Sequence, residues 1–250
     1  MNKIKIVVPV SGGKDSQACL KLAVSKYEKH EILGLFCDTQ FEHPITYKHM
    51  EKIKDLYGVE IKTLCDGRTV PELVKKYGMF PNNYSRFCTD RLKIIPSKKF
   101  YDELSKAQGG FEVWLGMRSD ESEKRNRRYK GIISSETYFP HEVLKSFPQF
   151  LGKRGVLFRL PVVDWSFKDI IEYLGDEINP IYKAGKGIDR VGCFPCLASS
   201  QNSQERHFKF DEFGAAQREV VLELNRNIKI VNAGQADMFS EGSGCSFCEI

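Results

Sequence analysis

The stretch VVPVSGGKDSQACL, residues 7–20, joins an apolar run to a helical pattern through the polar loop SGGKDS. The β-branched run that leads into it, residues 4–10, is typical of a strand buried on both faces. After the loop, apolar residues such as Ala18 and Leu22 recur at helical spacing. The stretch therefore predicts a strand, a tight loop over Ser11–Ser16 and a helix.

The same alternation continues outward along the chain. Further strands are predicted at 31–39, 59–65, 112–116 and 156–162. Helices are predicted at 50–57, 69–78, 90–107, 167–175 and 218–226. Strands that alternate with helices predict an α/β fold with a mostly parallel sheet flanked by helices. Residues 176–206 show little periodicity.

Composition sets broad limits on the class of protein. The 250 residues are 41% hydrophobic and 28% charged, as in ordinary globular chains. No apolar run is long enough for a transmembrane helix, and the amino-terminal apolar run is too short for a signal peptide. We therefore expect a cytoplasmic protein with no membrane partner. The net charge of +5 fits an anionic substrate and is compatible with a nucleic acid.

The loop between the first strand and helix has the chemistry of a pyrophosphate cradle. Glycine lets backbone N–H groups approach an anion, and a helix N-terminus attracts negative charge. Lysine adds a full positive charge, and the two serines add hydroxyl groups. The predicted nucleotide-binding residues of the loop are Ser11, Gly12, Gly13, Lys14, Asp15 and Ser16. The spacing differs from that of a Walker A loop, and the alternative is a polar helix N-terminus capped by Ser11.

SGGKDS resembles the signature of the PP-loop ATP pyrophosphatase superfamily. Four more stretches are similar to the phosphoadenylyl-sulfate (PAPS) reductase family: CDTQFEHPITY (37–47), RFCTDRLKIIP (86–96), GMRSDES (116–122) and INPIY followed by RVGCFPC (178–196). The resemblance covers about residues 4–200. It implies a Rossmann-like sheet of the adenine nucleotide alpha hydrolase type and cleavage of ATP between its α- and β-phosphates. It adds Asp38 and Thr39 to the nucleotide-binding set, whereas the alternative for Asp38 is a turn cap.

The lysine of the loop separates two branches of this family. PAPS reductases receive an activated sulfonucleotide and usually lack the lysine, whereas Lys14 is present here. The complete loop favours adenylation of a substrate by ATP, with Mg²⁺, followed by sulfur transfer, as in DNA phosphorothioation and tRNA thiolation enzymes. Lys14, Asp15 and Arg118 are the candidate catalytic residues. The alternatives are a sulfonucleotide (APS or PAPS) reductase and a non-catalytic nucleotide-sensing or nucleic-acid-binding module.

Eight cysteines in a cytosolic chain suggest metal or redox chemistry. The candidate metal ligands are Cys88, Cys193, Cys196, Cys245 and Cys248. The first three, with one tail cysteine or an open site, suit a 4Fe–4S cluster. The two C-x-x-C pairs suit zinc, and free or redox-active thiols are a third interpretation. Cys88 precedes a predicted helix, which would lower its pKa. We expect Cys19, Cys37 and Cys65 to be buried small hydrophobic residues.

A basic stretch follows the predicted fourth strand. It is either a solvated face or a surface that contacts substrate phosphates. The candidate substrate-binding residues are Arg118, Arg128 and Arg190. The candidate partners are a nucleotide, a nucleic acid (DNA or tRNA), a sulfur-donor protein and a second copy of the chain. We expect a nucleotide-binding catalytic domain over 1–206 and a helical extension over 207–250 that ends in a C-x-x-C tail.

Overall fold

The computed structural model describes residues 3–82 and 84–238, the last eight of these by their backbone alone. Five strands form one sheet in the order β3–β2–β1–β4–β5. Their bounds are β1 Ile6–Val10, β2 Ile32–Asp38, β3 Glu60–Cys65, β4 Phe111–Trp114 and β5 Val156–Arg159. All four pairings are parallel, with Val7 opposite Leu33 on one side and Val113 on the other.

Helices connect the strands and follow the last one. Their bounds are α1 Lys14–Val24, α2 Pro44–Tyr57, α3 Val70–Tyr77, α4 Phe87–Thr89, α5 Ile95–Gln108, α6 Glu123–Tyr129, α7 Pro140–Val143, α8 Gln149–Lys153, α9 Phe167–Leu174, α10 Pro180–Lys183, α11 Gln201–Phe208 and α12 Glu212–Met238. A π-helical segment, Asp90–Ile94, makes α4 and α5 continuous. No helix among the described residues is both long enough and apolar enough to cross a membrane.

The core lies on both faces of the sheet. Alternate residues of a strand point to opposite faces, so Ile6 and Val8 join one cluster and Val7 joins the other. The first cluster packs β1 and β2 against α1, α2 and α9. The second packs the sheet against α5, α7 and α8. A sheet covered on both faces explains the continuous apolar runs of the strands.

The strand order reverses between β1 and β4, which makes this pair the switch point of the sheet. In open α/β sheets, ligands bind outside the carboxyl ends of the strands at such a point. Here the loop after β1 supplies Ser11–Ser16, and the loop after β4 supplies Gly116 and Arg118. The fold thus brings two of the predicted motifs to one crevice.

The predicted Rossmann-like α/β fold is confirmed. The sequence missed helical structure within 176–206, where α10 and α11 form, and it placed helix 218–226 inside the longer α12. The boundary predicted after residue 206 falls within α11, and Leu224 of α12 packs in the same cluster as Leu73 of α3. The division into two units stays a prediction.

Candidate functional site

The loop Ser11–Ser16 is closed by its own hydrogen bonds. The Ser11 N–H donates to Ser16 Oγ at 3.2 Å, and Ser16 Oγ donates to the Gly13 carbonyl at 3.0 Å. Gly12 has a φ of +71°, and a Cβ there would lie 2.5 Å from Thr46 Cγ2, so glycine is required. Bonds within the loop and the glycine at position 12 therefore define its shape.

Lys14 is the first residue of α1, and its side chain is buried, with 4% exposed. Its ammonium donates to Asp15 Oδ2 at 3.3 Å and to the Asp189 carbonyl at 3.2 Å. It also lies 5.0 Å from the ring centre of Phe167 and 5.3 Å from that of Tyr182. Burial lowers the pKa of Lys14, and the neighbouring Asp15 carboxylate acts against that shift.

Arg118 reaches the same place from β4. Only 2% of this residue is exposed, and its Nε donates to Asp15 Oδ1 at 2.5 Å. One terminal nitrogen donates to Asp120 Oδ2 at 3.0 Å and to the Trp165 carbonyl at 3.3 Å. Asp15 thus holds Lys14 and Arg118 on its two carboxylate oxygens. Within the basic stretch, Arg118 is a buried member rather than part of a solvated face.

Two cavities open beside these cations. The lysine cavity, of about 380 Å³, is lined by Lys14, Arg118, Asp120, Glu121, Ser122, Arg125, Phe167, Asp189 and Arg190. The arginine cavity, of about 360 Å³, is lined by Arg86, Ser122, Lys124, Arg125, Arg128 and Arg190. Among the residues that the structure describes, none that lines the arginine cavity is acidic. The predicted substrate residues Arg118, Arg128 and Arg190 thus border two adjoining, cation-rich spaces.

A third space, the loop cavity, lies against the Ser11–Ser16 loop, which is called the phosphate loop below after its predicted role. It measures about 150 Å³ and is lined by Ser11, Gly13, Asp15, Ser16, Gly116, Met117, Glu121, Arg125, Tyr182, Arg190 and Val191. Gly116 approaches α1 so closely that a Cβ there would lie 2.6 Å from the Ser16 nitrogen. The glycine of GMRSDES therefore lets the β4 loop lie against the helix N-terminus.

Asp38 is the last residue of β2, and Thr39 follows it. Asp38 Oδ1 accepts from the Tyr47 hydroxyl at 2.7 Å and from the Gln40 N–H at 2.8 Å. The Thr39 hydroxyl donates to Glu42 Oε1 at 2.7 Å and lies 3.3 Å from Cys193 Sγ. Thr39 lines the space around the cysteines described next, and Asp38 borders none of these spaces. Their nucleotide-binding role stays a prediction.

The cysteine cavity, of about 180 Å³, brings together three predicted metal ligands from distant parts of the chain. Its lining includes Ser11, Thr39, Arg86, Cys88, Lys93, Arg190, Val191, Cys193, Cys196 and His207. The C-x-x-C segment is fixed to the loop after β2 by a bridge between Glu42 and Cys193 and by a 2.7 Å bond from the Phe194 N–H to the Phe41 carbonyl. Ser11, Val191 and Arg190 border this cavity and the loop cavity alike.

Burial raises the pKa of two thiols in this cavity, Cys88 and Cys193. It raises the pKa of Cys193 to about 11 and raises that of Cys88, with Cys196 adding to the shift. The predicted lowering at Cys88 is therefore wrong, because burial outweighs the helix N-terminus. For Lys93, burial lowers the pKa, but Cys193 and Glu42 raise it by more. A lysine among these thiols would favour their charged forms.

The thiols of the cysteine cavity are the candidate ligands for the metals that the sequence suggests, an iron–sulfur cluster or zinc. Thiols are the donors that iron–sulfur clusters use, and Cys88, Cys193 and Cys196 line this one cavity. Within residues 3–82 and 84–238, no three His, Cys, Asp or Glu side chains lie close enough together to hold one metal ion. The predicted ligands Cys245 and Cys248 lie outside the described residues. Of the cysteines expected to be buried, Cys19 is buried, whereas Cys65 is exposed and that expectation is wrong.

Sequence reasoning missed several residues of the site. Tyr182 and Asn179 belong to INPIY, which was matched only as a motif. The Tyr182 hydroxyl accepts from the Lys14 N–H at 3.4 Å, and Asn179 Nδ2 donates to the Gly12 carbonyl at 3.0 Å. The buried Glu42 and the cavity-lining Lys93 carried no pattern that would single them out.

The sheet and the loop at its switch point define a Rossmann-like nucleotide-binding domain. Residues 5–199 match the phosphoadenosine phosphosulfate reductase domain family, and the chain belongs to that family. The resemblance stated from the sequence is confirmed. The chain is thus a Rossmann-like α/β domain of the phosphoadenosine phosphosulfate reductase domain family.

Three curated relatives match most or half of the chain. An uncharacterised protein of Methanocaldococcus jannaschii is 33% identical over 207 residues, 82% of this chain and 39% of that protein. An uncharacterised nin-region protein of Escherichia phage lambda is 31% identical over 50% of this chain and 52% of its own length. An adenosine 5'-phosphosulfate reductase of Anoxybacillus flavithermus is 24% identical over 68% of this chain and 64% of its own length. The chain spans less than two thirds of each relative.

Two solved structures are similar at 16% sequence identity. The PAPS reductase of Candida auris, in a phosphate complex, has a TM-score of 0.49 and matches 76% of this chain and 81% of its own. The U34-tRNA thiolase of Methanococcus maripaludis, with its 4Fe–4S cluster, has a TM-score of 0.47 and matches 100% of this chain and 77% of its own.

Proposed function

We propose that this domain binds ATP on the Ser11–Ser16 loop and adenylates an acceptor, releasing pyrophosphate, as the first stage of a sulfur transfer. The observation that carries the proposal is the position of Lys14. Its ammonium, held by Asp15, borders the lysine cavity together with Arg118 and Arg190. A cationic site of this kind suits phosphates on which negative charge increases.

The proposed reaction needs little covalent chemistry from the protein. The acceptor attacks the α-phosphorus of ATP, the bond from that phosphorus to the bridging oxygen breaks, and pyrophosphate leaves with the electron pair. Lys14 and Arg118 would stabilise the leaving charge, and Asp15 would orient both cations. Mg²⁺ would accompany the phosphates as it does at many ATP sites.

The cysteine cavity would supply the sulfur stage. Cys88, Cys193 and Cys196 would be protein ligands of a 4Fe–4S cluster, with zinc as the alternative metal. A cluster with one iron free of protein ligands would offer a site for the sulfur that is transferred. The adjoining arginine cavity, with Arg128 and Arg190 on its wall, would bind an anionic acceptor such as a nucleic acid, DNA or tRNA.

A sulfonucleotide reductase is the second candidate function. The observation that favours it is the family itself, which contains a reductase that is 24% identical to this chain. In this alternative a sulfonucleotide would occupy the same crevice, and a cysteine thiolate would attack its sulfur. The bond from that sulfur to the phosphate oxygen would break, and the nucleotide would leave with the electron pair. The loop lysine would then have no γ-phosphate to bind.

Calorimetry with ATP, adenylyl sulfate and PAPS separates the two candidates. We expect ATP to bind more tightly than either sulfonucleotide, and Lys14→Ala to weaken ATP binding. Lys21→Ala is the control, because Lys21 also lies on α1 but pairs with Glu177 outside the cavities. Tight binding of PAPS with no binding of ATP would reject adenylation and leave the reductase.

A further inference from the structure

The Tyr182 hydroxyl lies between the phosphate loop and the C-x-x-C segment. Its oxygen accepts from the Lys14 N–H at 3.4 Å and from the Val191 N–H at 3.1 Å. Both donors are backbone groups, one in the first turn of α1 and the other two residues before Cys193. No acceptor for the hydroxyl proton itself is found within the described part of the chain.

The one-turn helix α10 holds this tyrosine in place. Asn179 caps it by accepting from the Ile181 N–H at 3.0 Å, and the same side chain donates to the Gly12 carbonyl. Asn179 is fully buried, so water does not compete for the hydrogen bonds of its side-chain amide. The Lys14 ammonium lies 5.3 Å from the Tyr182 ring centre. One short helix therefore contacts the phosphate loop at three points.

Val191 forms the wall between the two sites. It lines both the loop cavity and the cysteine cavity. Its carbonyl lies so near the phosphate loop that a Cβ on Gly13 would stand 3.1 Å from it. A change in the hydrogen bonding of Val191 thus acts directly on the segment that carries Cys193 and Cys196.

We infer that Tyr182 is a positioning residue that couples occupation of the phosphate loop to the backbone of the C-x-x-C segment. The Lys14 N–H is one of the helix N-terminal donors that a phosphate oxygen would take. When an anion takes it, the Tyr182 hydroxyl is released from that donor and donates a hydrogen bond to the anion. The result is a chain of bonds from the Val191 N–H through the Tyr182 hydroxyl to the anion. The inference rests on the proposed phosphate site.

Hydrogen exchange followed by mass spectrometry, with inorganic pyrophosphate as the probe, tests the coupling in the full chain as purified. Peptides over residues 8–20 and 183–197 report on the two sites. In the unaltered protein we expect pyrophosphate to slow exchange in both peptides. In Tyr182→Phe we expect slowing in the first peptide alone, with pyrophosphate bound about tenfold more weakly, the size of one hydrogen bond to a charged group.

Tyr57→Phe is the matched control. The Tyr57 hydroxyl accepts from Gln17 of α1 at 3.2 Å and donates to Glu177 at 2.8 Å, so this variant also loses a hydroxyl bonded to α1. It should respond to pyrophosphate in both peptides, as the unaltered protein does. Loss of the distant response in this control would assign the effect to general loosening and overturn the inference.

Two further outcomes would overturn the coupling. In one, pyrophosphate slows the first peptide of the unaltered protein and leaves the second unchanged; the phosphate site then stands without the coupling. In the other, Tyr182→Phe keeps both responses. If pyrophosphate slows neither peptide of the unaltered protein, the proposed phosphate site fails as well, so the two failures are distinguishable.

Discussion

The phosphate loop takes its residues from one six-residue segment, whereas the cysteine cavity takes its thiols from α4 and from a segment near residue 195. The loop is closed by bonds within itself, such as Ser11 to Ser16. The cysteine segment is held from outside, through Glu42 and Phe41. The backbone of the phosphate loop is therefore shaped largely by local bonds, whereas the cysteine cavity exists only when distant parts of the chain meet.

This difference determines how each site should respond to change. A local site keeps its shape when a functional side chain is removed, so the loss falls on binding and rate. An assembled site depends on every segment that reaches it.

Replacing one ligand in the assembled site should have the largest effect. Cys88→Ser should lose most of the iron of the purified protein, because the cysteine is one of three thiols of the cavity. Iron, sulfide and zinc contents measure the effect, with the visible absorption of the anaerobic protein. Cys65→Ser, which changes an exposed cysteine outside the cavity, should keep its metal.

Truncation of the carboxy-terminal tail is the second variant in this experiment. A chain truncated after Gly244 lacks Cys245 and Cys248 and should keep at least part of its iron. Full metal content in Cys88→Ser, together with release of zinc on truncation, would contradict the cluster. The tail would then be a zinc-binding structural lobe.

In the local site, Lys14→Ala should slow pyrophosphate release by about 100- to 1000-fold, the usual effect of losing one preorganised charge donor. Since the loop is closed by other bonds, the thermal midpoint should fall little. Release is measured with a coupled phosphate assay, with Lys21→Ala as the control on the same helix. A large drop in stability with normal turnover would reverse the assignment.

Acid should weaken the packing behind the phosphate loop. His49 Nε2 lies 2.8 Å from Gln17 Oε1 of α1, and burial, with help from Lys52, lowers the His49 pKa from 6.5 to about 4. The unfolded chain therefore takes up this proton first as the pH falls. The stabilisation is full above pH 6.5 and is lost toward pH 4, with about 2 kcal/mol gone at pH 5.

Urea unfolding at pH 7 and pH 5 measures this loss. In His49→Gln the loss between the two values should be smaller by about 2 kcal/mol. Burial also lowers the pKa of His43 and His207, so part of the pH dependence should remain in the variant. If the free energy of unfolding of His49→Gln depends on pH as it does in the unaltered protein, His49 has the same pKa in the folded and unfolded states.

The smallest effect is expected where the two sites meet. Arg190 borders all four cavities, so Arg190→Gln should weaken ATP binding by about tenfold and also change the absorption of any bound cluster. Arg127→Gln is the control, because Arg127 is exposed and pairs with Glu123. An effect on ATP binding without any change at the cysteines would place Arg190 in the local site alone.

The parts of the molecule that follow short-range rules were predictable from sequence. Residues 4–10 and the loop after them gave a strand, a loop and a helix because burial and glycine chemistry act within a few residues. The helices α10 and α11 were both missed. Helix α10 is only one turn long, and a hydrogen bond from Asn179 to Gly12 rather than apolar spacing fixes it.

The candidate site was predictable where a motif carried it. Arg118 was found through GMRSDES, but its burial and its bond to Asp15 depend on two strands meeting at the switch point. The rise in the pKa of Cys88 depends on the cavity around it, which helix position alone does not reveal. Tyr182 reaches Lys14 only in the folded chain, so no spacing rule could connect them.

The bridge from Glu42 to Cys193 also sets an order of events during synthesis. A chain that folds from its amino terminus can pair β1 with β2 and form the phosphate loop while later residues are still being made. The cysteine cavity must wait for a contact between residues far apart in the chain, which forms late because closing so long a loop is entropically costly. A metal held in this cavity would therefore be loaded only after the residues near 195 have been made and have packed against the loop after β2.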